Sequence, residues 1–273
     1  MYKNFNKRQR DNYWNIFSPN VNAGDLIYHA AGADRKIDLD TIKNKELLPL
    51  WYRFVFEDAV LSRLVSKYVV VKQGALDCGF GTGRSISFLH KNFEHVTAFD
   101  ISSTFYTSAK IRYKDFANIS FYNTGFDSFE TSEKYDLIFI GGVFMYMDER
   151  EVKQALKKVQ GWLSPDGILI CRDTLSKSSE CTVENIKAYR SIKQYKELFT
   201  DFKQLEKING ANRNILCSFF LRLPDKLQEH NSVFTFFKKV IQLFIIVDIL
   251  LVALRGAKRH PLANQMYYAF TTE

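Results

Sequence analysis

Short apolar runs alternate with helix-like stretches through the middle of the chain, and several runs end in an acidic residue or a glycine. Five of them read as strands: Tyr68–Leu76, His95–Asp100, Ile119–Tyr122, Tyr135–Ile140 and Gly167–Cys171. Nearly continuous apolar runs of this length are typical of strands buried on both faces of a parallel sheet. The pattern predicts a doubly wound α/β fold, a mostly parallel seven-stranded sheet with helices on both faces and a binding crevice at the carboxyl ends of its strands.

The regions on either side of these strands extend the same domain. Residues 1–66 are expected to be helical or looped, with an amphipathic helix over Leu47–Leu64. Residues 67–210 form the core, with a sixth strand at Leu205–Ile208. Residues 211–273 hold a helical insertion and the closing strand. That strand is either Ile215–Leu223 or, as we prefer, Met266–Phe270.

The insertion contains an apolar segment at Phe234–Leu254, flanked by Lys238, Lys239 and Arg255. A spanning helix needs about 20 apolar residues, and this segment is interrupted by Gln242 and Asp248. We therefore expect a helix packed on the sheet or in a dimer interface. The alternative is a helix that inserts into a membrane surface, with its basic flanks near anionic lipid.

Composition and charge narrow the class of protein. The 273 residues are 46% hydrophobic and 25% charged, which is ordinary for a globular domain. The net charge of +8 is scattered rather than concentrated in a nucleic-acid-reading motif, so a nucleic-acid partner is not favoured. The four cysteines lack metal-ligand spacing, which predicts no metal site and a reducing, cytoplasmic compartment. The polar, basic first ten residues lack the apolar run of a signal peptide.

The run Ala75-Leu-Asp-Cys-Gly-Phe-Gly-Thr-Gly-Arg84 carries the strongest chemical signal. Glycines directly after a strand permit a sharp turn and let a ligand approach the backbone, and the following helix start favours an electron-rich group. The spacing differs from the dinucleotide fingerprint, because Arg84 stands where the third glycine would be, so NAD or FAD is disfavoured. Asp100, at the end of the second strand, is placed to accept hydrogen bonds from ribose hydroxyls.

With these motifs in this order, the chain resembles the class I S-adenosylmethionine-dependent methyltransferases over about residues 70–205. The resemblance implies a Rossmann-like fold and S-adenosyl-L-methionine as cofactor. It assigns the methionine part of the cofactor to the first loop, the ribose to the acid after the second strand, and the adenine to the residues after the third. The stretch after the fourth strand would face the sulfonium and the acceptor. In this order the implied residues are Asp77, Gly79, Phe80, Gly81 and Gly83; Asp100 and Ile101; Phe126 and Asp127; and Gly141, Gly142 and Phe144.

In that family N-terminal segments form a lid over the site, which makes Tyr13, Trp14, Tyr28 and His29 lid candidates. The alternative for each is packing of an N-terminal helix on the sheet. Tyr146 and Tyr189 are expected to line the acceptor pocket, Tyr189 at the start of a later helix.

Acceptor chemistry divides the remaining candidates. Arg172 or Arg190 can clamp an anionic acceptor, whereas Asp173 or His29 can serve as general base for a hydroxyl. The alternative for Arg172 and Asp173 is a structural ion pair between neighbours. The sequence thus predicts methyl transfer to an oxygen of a small-molecule or glycan-type acceptor, phosphorylated or lipid-linked, by a cytoplasmic or membrane-peripheral monomer or homodimer. An RNA methyltransferase and an inactive cofactor-binding scaffold stay open as alternatives.

Overall fold

The computed structural model of the chain describes residues 9–10, 13–14, 47–176, 182–184, 186–210, 219, 222–224, 226, 231–255 and 265–272. Its centre is a seven-stranded sheet of order β3-β2-β1-β4-β5-β9-β8. The strands are β1 Gly74–Cys78, β2 His95–Asp100, β3 Ile119–Asn123, β4 Tyr135–Gly141, β5 Leu163–Thr174, β8 Phe202–Gly210 and β9 Gln265–Thr272. The first five pair in parallel, and β9 runs antiparallel to both β5 and β8.

This sheet confirms the predicted fold class. The preferred closing strand at Met266–Phe270 lies within β9, and the predicted sixth strand lies within β8. A two-stranded hairpin, β6 Thr182–Glu184 and β7 Lys187–Tyr189, forms outside the main sheet. It corrects the prediction that Tyr189 begins a helix, since the next helix starts only at Ile192.

Helices cover both faces of the sheet. The described ones are α1 Leu47–Tyr68, α2 Arg84–Asn92, α3 Ser103–Arg112, α4 Glu149–Trp162, α5 Ile192–Leu198 and α6 Asn231–Arg255. One apolar cluster joins α1, α2, α3 and α6 to one face, and a second joins α4 and α5 to the other. The first turns of α4 and α5 are fixed by capping boxes, in which the Asp148 and Ser191 side chains accept from backbone N–H groups three residues on.

The predicted apolar segment near the end of the chain is helical, as α6. It packs against α1, and Ile241 and Ile245 are buried in the first apolar cluster. Within the described residues no helix combines the length and apolar character that crossing a bilayer requires. Cys78 and Cys171 are buried free thiols.

The order of the strands also fixes where a ligand can bind. Strand order reverses between β1 and β4, so the connections that leave these two strands diverge to opposite sides and leave a crevice at their carboxyl ends.

Candidate active site

A cavity of about 1680 Å³ opens at the carboxyl ends of β1, β2 and β4. Its wall contains the glycine loop after β1, Asp100, the turn after β3, the residues after β4 and a group of arginines. Tyr13 and Trp14 contribute from the N-terminal segment. The cavity lies at the crevice that the sheet topology defines.

Two glycines of the loop after β1, Gly79 and Gly81, are glycine for different structural reasons. Gly79, at φ +78°, donates its N–H to the Phe99 carbonyl at 2.7 Å, and a Cβ there would lie 2.5 Å from Val143 Cγ2. Gly81, at φ +54°, faces open space, with nothing within 4 Å of a Cβ position. Gly79 is therefore required for packing, whereas Gly81 leaves its backbone open to the cavity.

Asp100 holds this loop in place from the next strand. Its Oδ2 accepts from the Gly81 N–H at 2.8 Å, and its Oδ1 accepts from the Ser102 N–H at 2.8 Å. Burial raises the pKa of Asp100 to about 6, and these two backbone hydrogen bonds oppose the rise. Asp100 also lines the cavity, so it can accept from ligand hydroxyls with its remaining lone pairs.

Asp77 lies behind the loop, outside the set of residues that line the cavity. The Ser85 hydroxyl donates to its Oδ2, while its Oδ1 is buried without a hydrogen-bond partner. Burial raises the pKa of Asp77 to about 7, with a further contribution from the Asp100 carboxylate. A buried carboxylate oxygen without a partner favours a cationic or hydrogen-bond-donating group at this point.

The turn after β3 forms the far wall. Ile101 and the exposed Asp127 line the cavity, and Gly125 between them has no room for a side chain, because a Cβ would lie 2.8 Å from Ile101 Cγ2. Phe126 also lines the cavity and packs its ring edge-on against Phe99 at 5.0 Å. These groups form a partly aromatic slot, suited to a flat ligand ring.

The residues after β4 divide between the cavity and the core. Gly141 and Gly142 line the cavity, and the Gly142 N–H donates to the Arg172 carbonyl at 2.7 Å. Phe144 does not face the acceptor space as predicted. Its side chain is fully buried against Phe126 and Phe199, because the 3-10 helix Phe144–Tyr146 turns it into the second apolar cluster.

A buried charged cluster that the sequence interpretation missed lies next to Gly142, and its members Arg53, Glu57, Arg84 and Arg172 all line the cavity. Glu57 is ion-paired with Arg84 and, at 3.3 Å, with Arg172, and it accepts from the Tyr267 hydroxyl at 3.3 Å. Three guanidinium groups thus surround one fully buried carboxylate. The available signal was the pair Arg53 and Glu57, four residues apart on the cavity side of α1.

Desolvation and charge compete within this cluster. Burial raises the pKa of Glu57, but the guanidinium groups of Arg84, Arg172 and Arg53 outweigh it and hold that pKa at about 2. Burial, together with the neighbouring Arg172, lowers the pKa of Arg53 to about 10. The arginines repel one another, which favours any additional anion in this part of the cavity.

The structure separates the three acceptor-binding candidates. Arg172 lines the cavity, with its guanidinium 3.1 Å from the Cβ position of Gly142. Asp173 does not pair with it and is buried outside the cavity lining, where it accepts from the Tyr195 hydroxyl at 2.5 Å. Neighbours on a strand point to opposite faces, which explains the separation.

Arg190 is a structural residue in this fold. It is fully buried and donates to the Phe144 carbonyl at 2.6 Å and the Met147 carbonyl at 2.5 Å. It therefore fixes the shape of the segment after β4 rather than meeting an acceptor anion, which corrects that prediction.

Aromatic rings cover one side of the cavity. Trp14 packs edge-on against Tyr146 at 5.0 Å and against Tyr13 at 5.0 Å, and its ring also meets Phe105 at 6.1 Å. Tyr189 reaches the cavity from β7. Tyr28 and His29, the other two lid candidates, lie outside the described residues. Within the described part of the chain, no group of three or more potential metal-ligating side chains occurs.

Residues 75–167 match the family described as Methyltransferase domain. Among curated proteins, the chain is 32% identical over 107 residues to an alpha N-terminal protein methyltransferase 1 of Dictyostelium discoideum, covering 38% of this chain and 40% of that protein. It is 24% identical over 201 residues to a phosphoethanolamine N-methyltransferase 1 of Triticum aestivum, covering 71% of this chain and 36% of that protein. The chain therefore spans two fifths or less of the length of these relatives.

Solved structures share the fold at low identity. The N-methyltransferase NodS of Bradyrhizobium japonicum superposes with a TM-score of 0.53 at 15% identity, covering 80% of this chain and 96% of that one. An O-methyltransferase from a trans-AT polyketide synthase of Brevibacillus brevis superposes with a TM-score of 0.56 at 13% identity, covering 88% and 82%. At these identities the superpositions establish the fold alone.

Proposed function

We propose that this chain methylates a small or glycan-type acceptor that carries a phosphate or a carboxylate. Through residues 75–167 the chain belongs to the class I S-adenosylmethionine-dependent methyltransferase family, whose cofactor is S-adenosyl-L-methionine. The observation that supports the acceptor class is the cluster of buried arginines on the cavity wall beside Gly142.

The residues present fit this cofactor. The open backbone at Gly81 allows close approach, Asp100 can accept from ribose hydroxyls, and the unpartnered Oδ1 of Asp77 favours a positively charged group nearby. We assign the adenine ring to the slot formed by Ile101, Phe126 and Asp127. When bound, S-adenosyl-L-methionine supplies a methyl group already activated by the sulfonium. The protein's task is then to align the acceptor and to exclude water.

The acceptor side of the cavity favours an oxygen that is already ionised. Arg172 faces this space, whereas Asp173, the predicted base, lies on the opposite side of its strand. A phosphate or carboxylate oxygen needs no proton removed, and guanidinium groups orient it. Arg172, with Arg53 behind it, would hold the anion next to Gly141 and Gly142, where the resemblance places the reacting centre.

Binding of the cofactor is tested by calorimetric titration of the wild type and of Asp100→Ala with S-adenosylmethionine, S-adenosylhomocysteine and NAD. We expect micromolar affinity for the two sulfur compounds, no NAD binding, and at least a tenfold loss in the variant, because the hydrogen bond that holds Gly81 disappears together with the ribose acceptor. If the folded protein binds neither sulfur compound, the proposed methyl transfer is refuted.

The acceptor class is tested by screening paired compounds with and without a phosphate or carboxylate, using release of S-adenosylhomocysteine as the signal. Once an acceptor is found, Arg172→Gln should raise its KM tenfold or more while the affinity for S-adenosylhomocysteine stays within about threefold of wild type. The matched control is Arg63→Gln, since Arg63 pairs with Glu206 away from the cavity lining. Turnover of uncharged acceptors, unaffected by Arg172→Gln, would contradict the proposal.

Nitrogen is the second candidate for the methylated atom, because one of the two curated relatives is named as a phosphoethanolamine N-methyltransferase. The cavity also presents aromatic faces to a cation, and the Lys187 ammonium already lies 5.9 Å from the centre of the Tyr146 ring. Mass spectrometry of the product decides between oxygen and nitrogen. In the same screen, steeply salt-dependent RNA methylation would support the RNA alternative, and cofactor binding without any turnover would support the scaffold alternative.

For its place in the cell we propose the cytoplasm. The support is the pair of buried free thiols, Cys78 and Cys171, which face Ile140 of β4 from β1 and β5 on either side. Fractionation of the native host, with and without alkylation of free thiols, tests this assignment. Recovery from an oxidising compartment would contradict it.

A further inference from the structure

Among the described side chains of helix α6, large apolar residues lie on two opposite sides, and those of one side pack into the fold. Ile241 and Ile245 are buried against the first apolar cluster, on the side that packs against α1. A helix that is hydrophobic all round is normally surrounded by protein or lipid. The outer side of α6 therefore needs its own explanation.

The outer side carries large hydrophobic side chains in helical register. Phe236, Leu243 and Val247 recur at intervals of seven and four residues, so they share one stripe. Leu243 is 61% exposed, and the stripe is widened by Phe244 and Ile246 on its two flanks, both about half exposed. Phe219, 56% exposed, extends the surface through its contact with Phe237 at 6.1 Å. A contiguous exposed patch of this kind marks an interaction site.

The sequence segment that contains this patch is strongly biased toward positive charge. Residues 222–259 contain seven Lys and Arg but three Asp and Glu, a net charge of +4 out of +8 for the whole chain. The basic residues are Arg222, Lys226, Lys238, Lys239, Arg255, Lys258 and Arg259. Lys239 is exposed on the apolar side of α6 itself, and Lys238 lies 5.6 Å from the centre of the Phe234 ring. Lysines whose stems lie along apolar groups are suited to reach a headgroup layer.

We propose that the outer face of α6, formed by Phe236, Leu243, Phe244, Ile246 and Val247, docks the protein onto an anionic lipid surface with the helix parallel to the membrane plane. The apolar stripe would enter the boundary between headgroups and acyl chains, while Lys239, exposed on the same side of α6, meets lipid phosphates. The opposite side of α6 stays packed on α1, so the folded domain takes the place of the polar face that an isolated interfacial helix would have.

Charge favours a lipid surface over a second copy of the chain. In a two-fold symmetric dimer the same patch meets itself, so two segments of net charge +4 would approach one another. An anionic bilayer meets the same segment with the opposite charge. Each lysine near such a surface adds roughly 1 kcal/mol, about a fivefold increase in partition.

The test is cosedimentation of the full chain with vesicles of phosphatidylcholine alone and of phosphatidylcholine mixed with phosphatidylglycerol. We expect the wild type to bind the anionic vesicles at least tenfold more strongly than the neutral ones. Leu243→Asp/Val247→Asp should lower binding to anionic vesicles at least tenfold, because it places charge in the apolar boundary. Lys239→Glu should lower it at least fivefold, because it removes the exposed lysine on the lipid-facing side of α6.

The matched control is Val70→Asp/Ile111→Asp, which adds the same two charges at exposed apolar positions away from α6 and should bind vesicles like wild type. Unchanged affinity for S-adenosylhomocysteine shows that each variant is folded. The proposal fails if the wild type ignores anionic vesicles, or if the α6 variant binds them as well as wild type does. It also fails if light scattering shows that the wild type is a dimer and the α6 variant a monomer, while the wild type does not bind vesicles. The measurement needs no acceptor or turnover, so its result is independent of the proposed methyl transfer.

Discussion

Replacing Glu57 by glutamine removes one charge from the centre of the arginine cluster at almost constant shape. Glu57 is buried, and its carboxylate is the group that Arg84 and Arg172 both contact. The variant leaves three guanidinium groups facing one another across an uncharged amide. We expect a large loss of stability together with a stronger affinity of the cavity for anions.

The size of the loss follows from the pKa of Glu57, which the arginines lower from 4.5 to about 2. A shift of this size corresponds to roughly 3 kcal/mol of stability at neutral pH, in line with the cost of breaking a buried ion pair, about 3–5 kcal/mol. Because the folded-state pKa is lowered, this contribution is complete above about pH 5 and is lost as the pH falls toward 2. The difference between wild type and variant should therefore narrow to roughly 2 kcal/mol near pH 3.5.

Urea unfolding of both proteins at pH 7 and pH 3.5 measures this difference directly. The control is Glu206→Gln, because Glu206 pairs with Arg63 and with the half-exposed Lys67, where we expect less than about 1 kcal/mol. Added phosphate should raise the melting temperature of Glu57→Gln more than that of wild type. Equal stability of Glu57→Gln and wild type at pH 7, or a difference that grows on acidification, would refute the electrostatic reasoning.

Substitutions at four other positions give contrasting results. Gly79→Ala should lower the free energy of unfolding by several kcal/mol, because the new Cβ meets Val143, and Gly79→Ala/Val143→Ala should recover part of that loss. Gly81→Ala should lower it by only about 1–2 kcal/mol through backbone strain, but should weaken S-adenosylhomocysteine binding at least tenfold. Thermal melts measure the first effect and calorimetric titrations the second. Burial raises the pKa of Asp77 to about 7, so the stability of the wild type should fall as the pH rises from 5 to 8. Asp77→Asn should reduce this fall, as thermal melts across the range would show, and should also weaken cofactor binding. Arg190→Gln should lose about 2–4 kcal/mol in urea unfolding, since two buried carbonyls lose their donors.

The strands and the cofactor loop could be predicted because their signals are local. Four of the first five strands coincide with a predicted apolar run, and the loop between Gly79 and Gly83 follows its strand directly. The first strand was predicted to begin at Tyr68, but Tyr68 ends α1 and β1 begins only at Gly74, after the polar pair Lys72 and Gln73. The closing strand at Gln265–Thr272 was also predicted, although its partners lie far away in sequence. The hairpin at residues 182–189 was missed, because three-residue strands are too short to show a periodic pattern.

The acceptor side could not be predicted because it depends on tertiary contacts. The arginine cluster joins α1, the first residue of α2 and the end of β5, which are separated by up to about 120 residues. One correction was within reach of the sequence, however. Arg172 and Asp173 are consecutive on a strand, so their side chains had to point to opposite faces, which rules out an ion pair between them. The position of Arg190 required the fold, since its acceptors are backbone carbonyls more than 40 residues earlier.

The placement of β9 between β5 and β8 has a consequence for how the chain folds. When β8 has been synthesised, the position between β5 and β8 is still empty, and more than 50 further residues, including the whole of α6, must follow before β9 can fill it. Until then, β5 and β8 each present an unpaired backbone edge. Closing the sheet over such long connections is entropically costly and slow. A nascent chain therefore passes through a stage in which β5 and β8 both lack their partner strand, and this is the stage at which a chaperone has most to protect.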